Sequence, residues 1–211
     1  MKIVIFGSNS RVGFESVKRA LNRNHLVTKI SLSEIQILEK KDQNLVKKNF
    51  FNKENLKEYI DNTDAVIVAF ESQKPSKSAT FFSDFAKSLI DATTDLKRNV
   101  SFIFLTEFGI GNSWSFQSNL YFKFIFRLLS KNIYDDISKM EEIISNSNLN
   151  WIIVRPGHMK NKPLTEEYRI ETQLYNGINI GSINRADVAD FMIKQAENPT
   201  YKKQFPALSN K

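Results

Sequence analysis

The chain has 211 residues, a formal charge of +7 and no cysteine, which suits one α/β domain and excludes disulfides, thiolate catalysis and a cysteine-bearing zinc site. Two histidines, His25 and His158, and no H-E-x-x-H pair give no expectation of a metal. No charged leader precedes the first apolar run, and no run approaches the ~18 residues that span a bilayer, so the expectation is a cytoplasmic protein with no membrane partner.

The first strand is Lys2 to Phe6, a short run of β-branched and aromatic residues of the kind that fills a buried parallel strand. It meets Gly7-Ser8-Asn9-Ser10-Arg11-Val12-Gly13 and then an amphipathic helix whose inner face carries Val12, Val17, Ala20 and Leu21. Gly7 stands where the chain must turn sharply, and Gly13 where a missing side chain lets the helix lie close to the strand. The free N–H groups of such a helix start, with its dipole, favour a phosphate. Ser10 takes the place of the usual middle glycine. Its hydroxyl, like those of Ser8 and the amide of Asn9, is expected either to meet a phosphate oxygen or to cap the helix.

His25 to Ile30 is the second strand, and its end is where a dinucleotide ribose is read. Ser31-Leu32-Ser33 supplies no carboxylate for a 2′-hydroxyl and no arginine for a 2′-phosphate, a role open to Arg11 or a nearby lysine. Lys40, Lys41, Lys47, Lys48 and Lys53 form the densest basic patch, with Glu39, Asp42 and Glu54 among them. No nucleic-acid-reading motif accompanies it, so it reads as a solvated face with no specific nucleic-acid partner. Leu45 to Asn49 is a short third strand by pattern, Lys53 to Ile60 a helix with Leu56, Tyr59 and Ile60 inward, and Asp64 to Phe70 the next buried strand.

A helix with Phe81, Phe82, Phe85, Leu89 and Ile90 on one face leads to the strand Val100 to Leu105. This alternation predicts a parallel sheet covered on both faces by helices. Thr106 to Gly111 closes that strand at the end where ligands lie. Asn119 to Leu129, with Tyr121, is apolar nearly all round and reads as a packed helix, a dimer face or a greasy pocket wall. A further helix is predicted at Asp135 to Asn146, a strand at Trp151 to Val154 stopped by Arg155-Pro156-Gly157, short strands at Tyr168 to Glu171 and Ile178 to Ile180, and a helix at Arg185 to Asn198 capped by Ser182 or Asn184.

Four stretches together, Lys2 to Gly13, FIFLTEFGIG at Phe102 to Gly111, LNWIIVRPG at Leu149 to Gly157 and SINRADVA at Ser182 to Ala189, resemble the NAD(P)H-binding atypical short-chain dehydrogenase/reductases, which include NmrA-like proteins and the flavin reductase type of biliverdin reductase. The resemblance implies a single Rossmann-like domain over residues 1–211, a doubly wound parallel sheet in three αβα layers, with a small substrate-side region at about 156–181. By the same resemblance the phosphate loop is Gly7, Ser8, Asn9, Ser10, Arg11, Val12 and Gly13, Ser31 ends the ribose strand, and Asn49 lies near the adenine. Ala69, Phe70 and Glu71 follow the strand beside the ribose, with Glu71 in place of a small residue. Thr106 and Glu107 match a pair facing the nicotinamide, Pro156 and Gly157 match the loop flanking it, and Arg185 and Asp187 match a structural corner.

The family's Tyr-x-x-x-Lys proton-transfer pair falls on Ile133 and Ile137, and Tyr134 and Lys139 are spaced to different faces of a helix. Thr106 and His158 remain as candidate catalytic residues, His158 because it could protonate a substrate oxygen near neutral pH. The implied function is hydride transfer from NADPH, favoured over NADH by Arg11 and the missing acid at Ser31, to a small flat acceptor such as a flavin, quinone or enone. The alternative is a protein that senses the cofactor without turnover and acts through a protein partner or as a homodimer.

Overall fold

Among the described residues, the apolar runs of the amino-terminal half become strands, and the amphipathic stretches become helices laid on one side of them. The computed structural model describes residues 1–31, 51–71, 80–116 and 127–211. In chain order these hold β1 (Lys2–Phe6), α1 (Arg11–Asn22), β2 (Leu26–Ile30), α2 (Lys53–Ile60), β3 (Ala65–Val68), α3 (Phe81–Thr93), β4 (Ser101–Leu105), a 3-10 helix (Gly111–Phe116), α4 (Arg127–Ser145), β5 (Asn150–Pro156), β6 (His158–Lys160), β7 (Tyr168–Glu171), β8 (Ser182–Asn184), α5 (Arg185–Glu197) and β9 (Ala207–Asn210). The main sheet runs β2-β1-β3-β4-β5-β9-β7, parallel throughout except where β7 pairs antiparallel with β9.

Strand periodicity sorts the core into two layers. Val4, Phe6, Val66, Val68, Phe102, Phe104, Trp151 and Ile153 face α2, α3 and α4, where Leu56, Phe85, Ile137 and Met140 meet them. Ile3, Ile5, Ala65, Ile67, Ile103, Leu105, Ile152 and Val154 face α1 and α5, against Val12, Val17, Val188 and Met192. The result is a doubly wound, three-layer Rossmann-like sheet. Among the described residues no helix is long and apolar enough to cross a membrane.

Several sequence expectations change. α4 begins at Arg127, so the helix expected from Asp135 starts eight residues early and takes in the end of the aromatic stretch. Tyr121 and the strand Leu45 to Asn49 lie outside the described residues. Ile178 to Ile180 is not a strand: the Ile178 amide donates back to the Tyr175 carbonyl at 3.1 Å and Arg169 takes the Asn179 carbonyl at 2.6 Å, so ladder groups are used locally. The strand lies instead at β8, which pairs with β6. β5 runs on through Arg155 to Pro156, and its last two residues pair with β9.

The turn between α1 and β2 is tied to the end of α5. Arg23 donates twice to Glu197, at 2.7 and 2.6 Å, and His25 Nε2 lies 2.7 Å from the same carboxylate. The Arg23 hydrogen bond, aided by His25, holds the Glu197 carboxyl below its ordinary range. A carboxylate with a lowered native pKa stabilises the fold above the unfolded value and loses that contribution as pH falls through the native one. Glu197→Gln should therefore cost roughly 0.5–1 kcal/mol at neutral pH, a modest figure because the pair is partly exposed, and the cost should shrink as pH falls below the ordinary carboxylate range. Urea unfolding of both proteins across that range measures it.

Candidate functional site

Strand order reverses between β1 and β3. β1 leads through α1 to β2 on one side, β3 leads through α3 to β4 on the other, and the two helices cover opposite faces. Their parting opens a crevice above the carboxyl ends of β1 and β3, the position where open α/β sheets hold ligands. Gly7 makes the turn out of β1 at φ +77°, and a Cβ there would stand 2.7 Å from the Ala69 carbonyl oxygen. A Cβ on Gly13 would collide with the Gly7 carbonyl oxygen. The Gly7 and Ser8 amides both donate to the Ile30 carbonyl, at 2.8 and 3.1 Å, which brings half-buried Ser31 beside the loop.

Ser10 is the helix cap. Its Oγ accepts from the Gly13 amide at 2.9 Å and donates to the Ala69 carbonyl at 2.6 Å, so its proton is not aimed at a phosphate. Its backbone is ordinary extended chain, φ −69° and ψ 164°, so a residue other than glycine strains nothing there. Asn9 and Arg11 are exposed at the loop tip. Between this loop, the outer side of α1 and residues 161–164 lies a cleft of about 700 Å³, bordered by Arg11, Phe14, Lys18, Lys162 and Arg185. Thr106, Glu107, Pro156 and Gly157 do not border it.

Glu71 lies on the first turn of α1. Its Oε1 accepts from the Val12 amide at 2.7 Å, and its Oε2 meets Arg185 Nε at 3.2 Å. Both side chains are buried, 5% and 8% exposed. Arg185 is held in turn by the Met159 carbonyl at 2.8 Å and Asn161 Oδ1 at 2.9 Å. Phe70, beside Glu71, turns into the core, its ring 5.0 Å from that of Phe85. Asn49 lies outside the described residues.

On the other side of the crevice, Thr106 is buried and its hydroxyl donates to Glu141 at 2.8 Å. Glu141 is gripped bidentately by Arg155, at 3.0 and 2.7 Å, and Arg155 also reaches Asn112 at 2.6 Å and lies 4.1 Å from the centre of the Phe205 ring. Thr106 therefore belongs to a buried polar network under the rim. Glu107 is half-buried and accepts from the Tyr134 hydroxyl at 3.2 Å. Burial, then the charge of Glu107, pushes the Tyr134 phenol well above its ordinary range, so it stays protonated. Pro156 and Gly157 are pinned by backbone bonds to Phe108 and Leu208, both 2.9 Å. His158 is exposed on β6, its amide on the Gly181 carbonyl at 3.0 Å. Asp187 accepts from the Thr165 and Glu166 amides at 2.7 and 2.9 Å, a structural corner.

A family model described as NAD(P)H-binding matches residues 7–199. The chain belongs to that NAD(P)H-binding family. Among curated proteins none matches the sequence. Of solved structures, the oxidoreductase ylbE of Lactococcus lactis superposes with a TM-score of 0.77 at 20% identity, over 100% of this chain and 91% of its own. A candidate NADH-flavin reductase of Streptococcus pneumoniae gives 0.72 at 22%, over 100% of both chains. ChuY of Escherichia coli, named as an anaerobilin reductase, gives 0.71 at 16%, over 100% of this chain and 97% of its own. At these identities the likeness is one of fold.

The loop between β1 and α1 has the backbone form of a dinucleotide cradle. The turn at Gly7, the close approach at Gly13 and the amides of Arg11 and Val12 are the parts a diphosphate requires. One side chain, Glu71, already occupies an amide of that helix start, that of Val12. Sequence reasoning placed Glu71 beside a ribose, and missed Glu141, Arg155 and the Glu107–Tyr134 pair as partners. The signal for the buried pair was present: Arg155 ends an apolar strand, and Glu141 lies on the same face as Ile137 and Ile144. Removing one member of a buried ion pair leaves the other uncompensated. Glu141→Ala should therefore cost about 3–5 kcal/mol in urea unfolding, far more than the loss of a surface carboxylate.

Proposed function

We propose that the chain is an NAD(P)H-dependent oxidoreductase of the cytoplasm, binding the cofactor across the β1–β3 crevice and passing hydride to a small flat acceptor of the flavin, quinone or enone kind. The observation that carries this reading is the Gly7–Gly13 approach at the strand reversal of a chain whose family binds NAD(P)H. The names of two fold neighbours, a candidate NADH-flavin reductase and an anaerobilin reductase, support a flat acceptor.

The cofactor, when bound, supplies the hydride. The Arg11 and Val12 amides would hold its diphosphate, and Ser31 with the exposed Arg11 guanidinium would meet a 2′-phosphate, favouring NADPH. Pro156 and Gly157, fixed by backbone bonds, would flank the nicotinamide with Glu107. Tyr134 donates a hydrogen bond to Glu107 and keeps its proton, so the pair orients the rim, and the exposed His158 is the group placed to hand a proton to an acceptor oxygen. A flat conjugated acceptor needs little such help, because holding the two rings together supplies most of the rate.

A second reading, a cofactor sensor without turnover that signals to a protein partner or a second copy, draws support from the Thr106 hydroxyl, spent on Glu141, and from Ile137, buried in the core where a catalytic lysine would stand. Calorimetric titration with NADPH and NADH, followed by an anaerobic flavin and quinone screen, separates the readings. Micromolar NADPH binding with steady oxidation supports the reductase, binding without oxidation the sensor, and no binding of either cofactor at millimolar concentration contradicts both. Arg11→Ala should weaken NADPH about tenfold, the equivalent of ~1.4 kcal/mol, and leave NADH unchanged.

A further inference from the structure

Building on the NAD(P)H reading, we propose that Glu71 is a built-in occupant of the diphosphate position, so that the cofactor binds by exchange with this carboxylate and Arg185 becomes a diphosphate ligand once Glu71 has left. The first turn of α1 is an anion locus, since a helix start presents amides without an intrahelical partner and the helix dipole adds partial positive charge. A carboxylate already meets it. Glu71 Oε1 lies 2.7 Å from the Val12 nitrogen, in a side chain only 5% exposed, while its second oxygen takes the Arg185 guanidinium at 3.2 Å. One anion is thus bound by a backbone amide and a buried arginine, the two kinds of donor that hold a diphosphate oxygen.

Arg185 is placed to remain when the carboxylate goes. Its Nη1 is anchored by the Met159 carbonyl and Asn161 Oδ1, independently of Glu71, and it borders the cleft beside the loop. Glu71 leaving regains hydration. Glu71 in place repels a diphosphate and denies it the Val12 amide, so the carboxylate sets the affinity of the site rather than adding to it. The constellation links residues 59 and 114 apart in the chain, so no local turn requires it.

The test compares wild type with Glu71→Ala and Glu71→Gln, using inorganic pyrophosphate and NADPH in separate calorimetric titrations. Both ligands should bind the variants at least tenfold more tightly than wild type, and adding Arg185→Ala to Glu71→Ala should abolish the gain. Equal or weaker binding of both ligands by the variants overturns the inference. NADPH binding that is micromolar in wild type and unchanged by either substitution overturns it while leaving the NAD(P)H reading intact. A gain for pyrophosphate with no NADPH binding in any protein upholds the exchangeable anion site and overturns the dinucleotide reading. Glu71→Gln keeps the shape without the charge and carries the comparison if the alanine variant fails to fold.

Discussion

The contact between Gly13 and the Gly7 carbonyl is the constraint on which the crevice depends. No side chain fits at either position, and only that closeness lets the start of α1 lie over the end of β1. From it the rest of the loop follows. Ser10 is drawn near enough to cap the helix and to bridge to the Ala69 carbonyl, so the loop is stapled to β3 as well as to β1. β2 joins through the Ile30 carbonyl. Three strands thus hold one turn of helix with its amides facing the point where the sheet reverses.

Two ion pairs of different character flank that point. Arg155 and Glu141 lie below the rim, both nearly inaccessible, with Thr106 and Asn112 completing the hydrogen bonds. A network of this kind holds the ends of β4 and β5 in place and engages the Thr106 hydroxyl. Glu71 and Arg185 are also buried, but their partners are a helix-start amide and a cleft-bordering guanidinium. Those are groups a dinucleotide can claim. The first pair supports the site, and the second, on our proposal, competes for it.

Much of the fold was legible because buried parallel strands are continuous apolar runs. α2 falls on its expected residues, and β1, β3, β4 and β5 within two residues at each end. β9 was missed since Ala207 to Asn210 carries no β-branched residue and no alternation to betray a strand, and only its pairing with β5 and β7 makes it one. The early start of α4 was missed because residues 127–129 read as part of the preceding aromatic stretch, with the next helix placed from Asp135. At the site, the glycines were legible from their spacing, and so was the cap role open to Ser10. The place of Glu71 was not: a residue that follows β3 gives no sign, from its neighbours, that its carboxylate reaches the amide of Val12. Tyr134 was set aside because Lys139 points to a different helix face, yet its partner is Glu107, on a different element.

The most direct measurement is a crystal structure of the protein grown with NADPH. The expected result is a diphosphate on the amides of Arg11 and Val12, with Glu71 turned away from the helix start and Arg185 against a phosphate oxygen. A dinucleotide bound elsewhere, or one bound while Glu71 still accepts from the Val12 amide, would contradict the central claim that the start of α1 is the cofactor's seat.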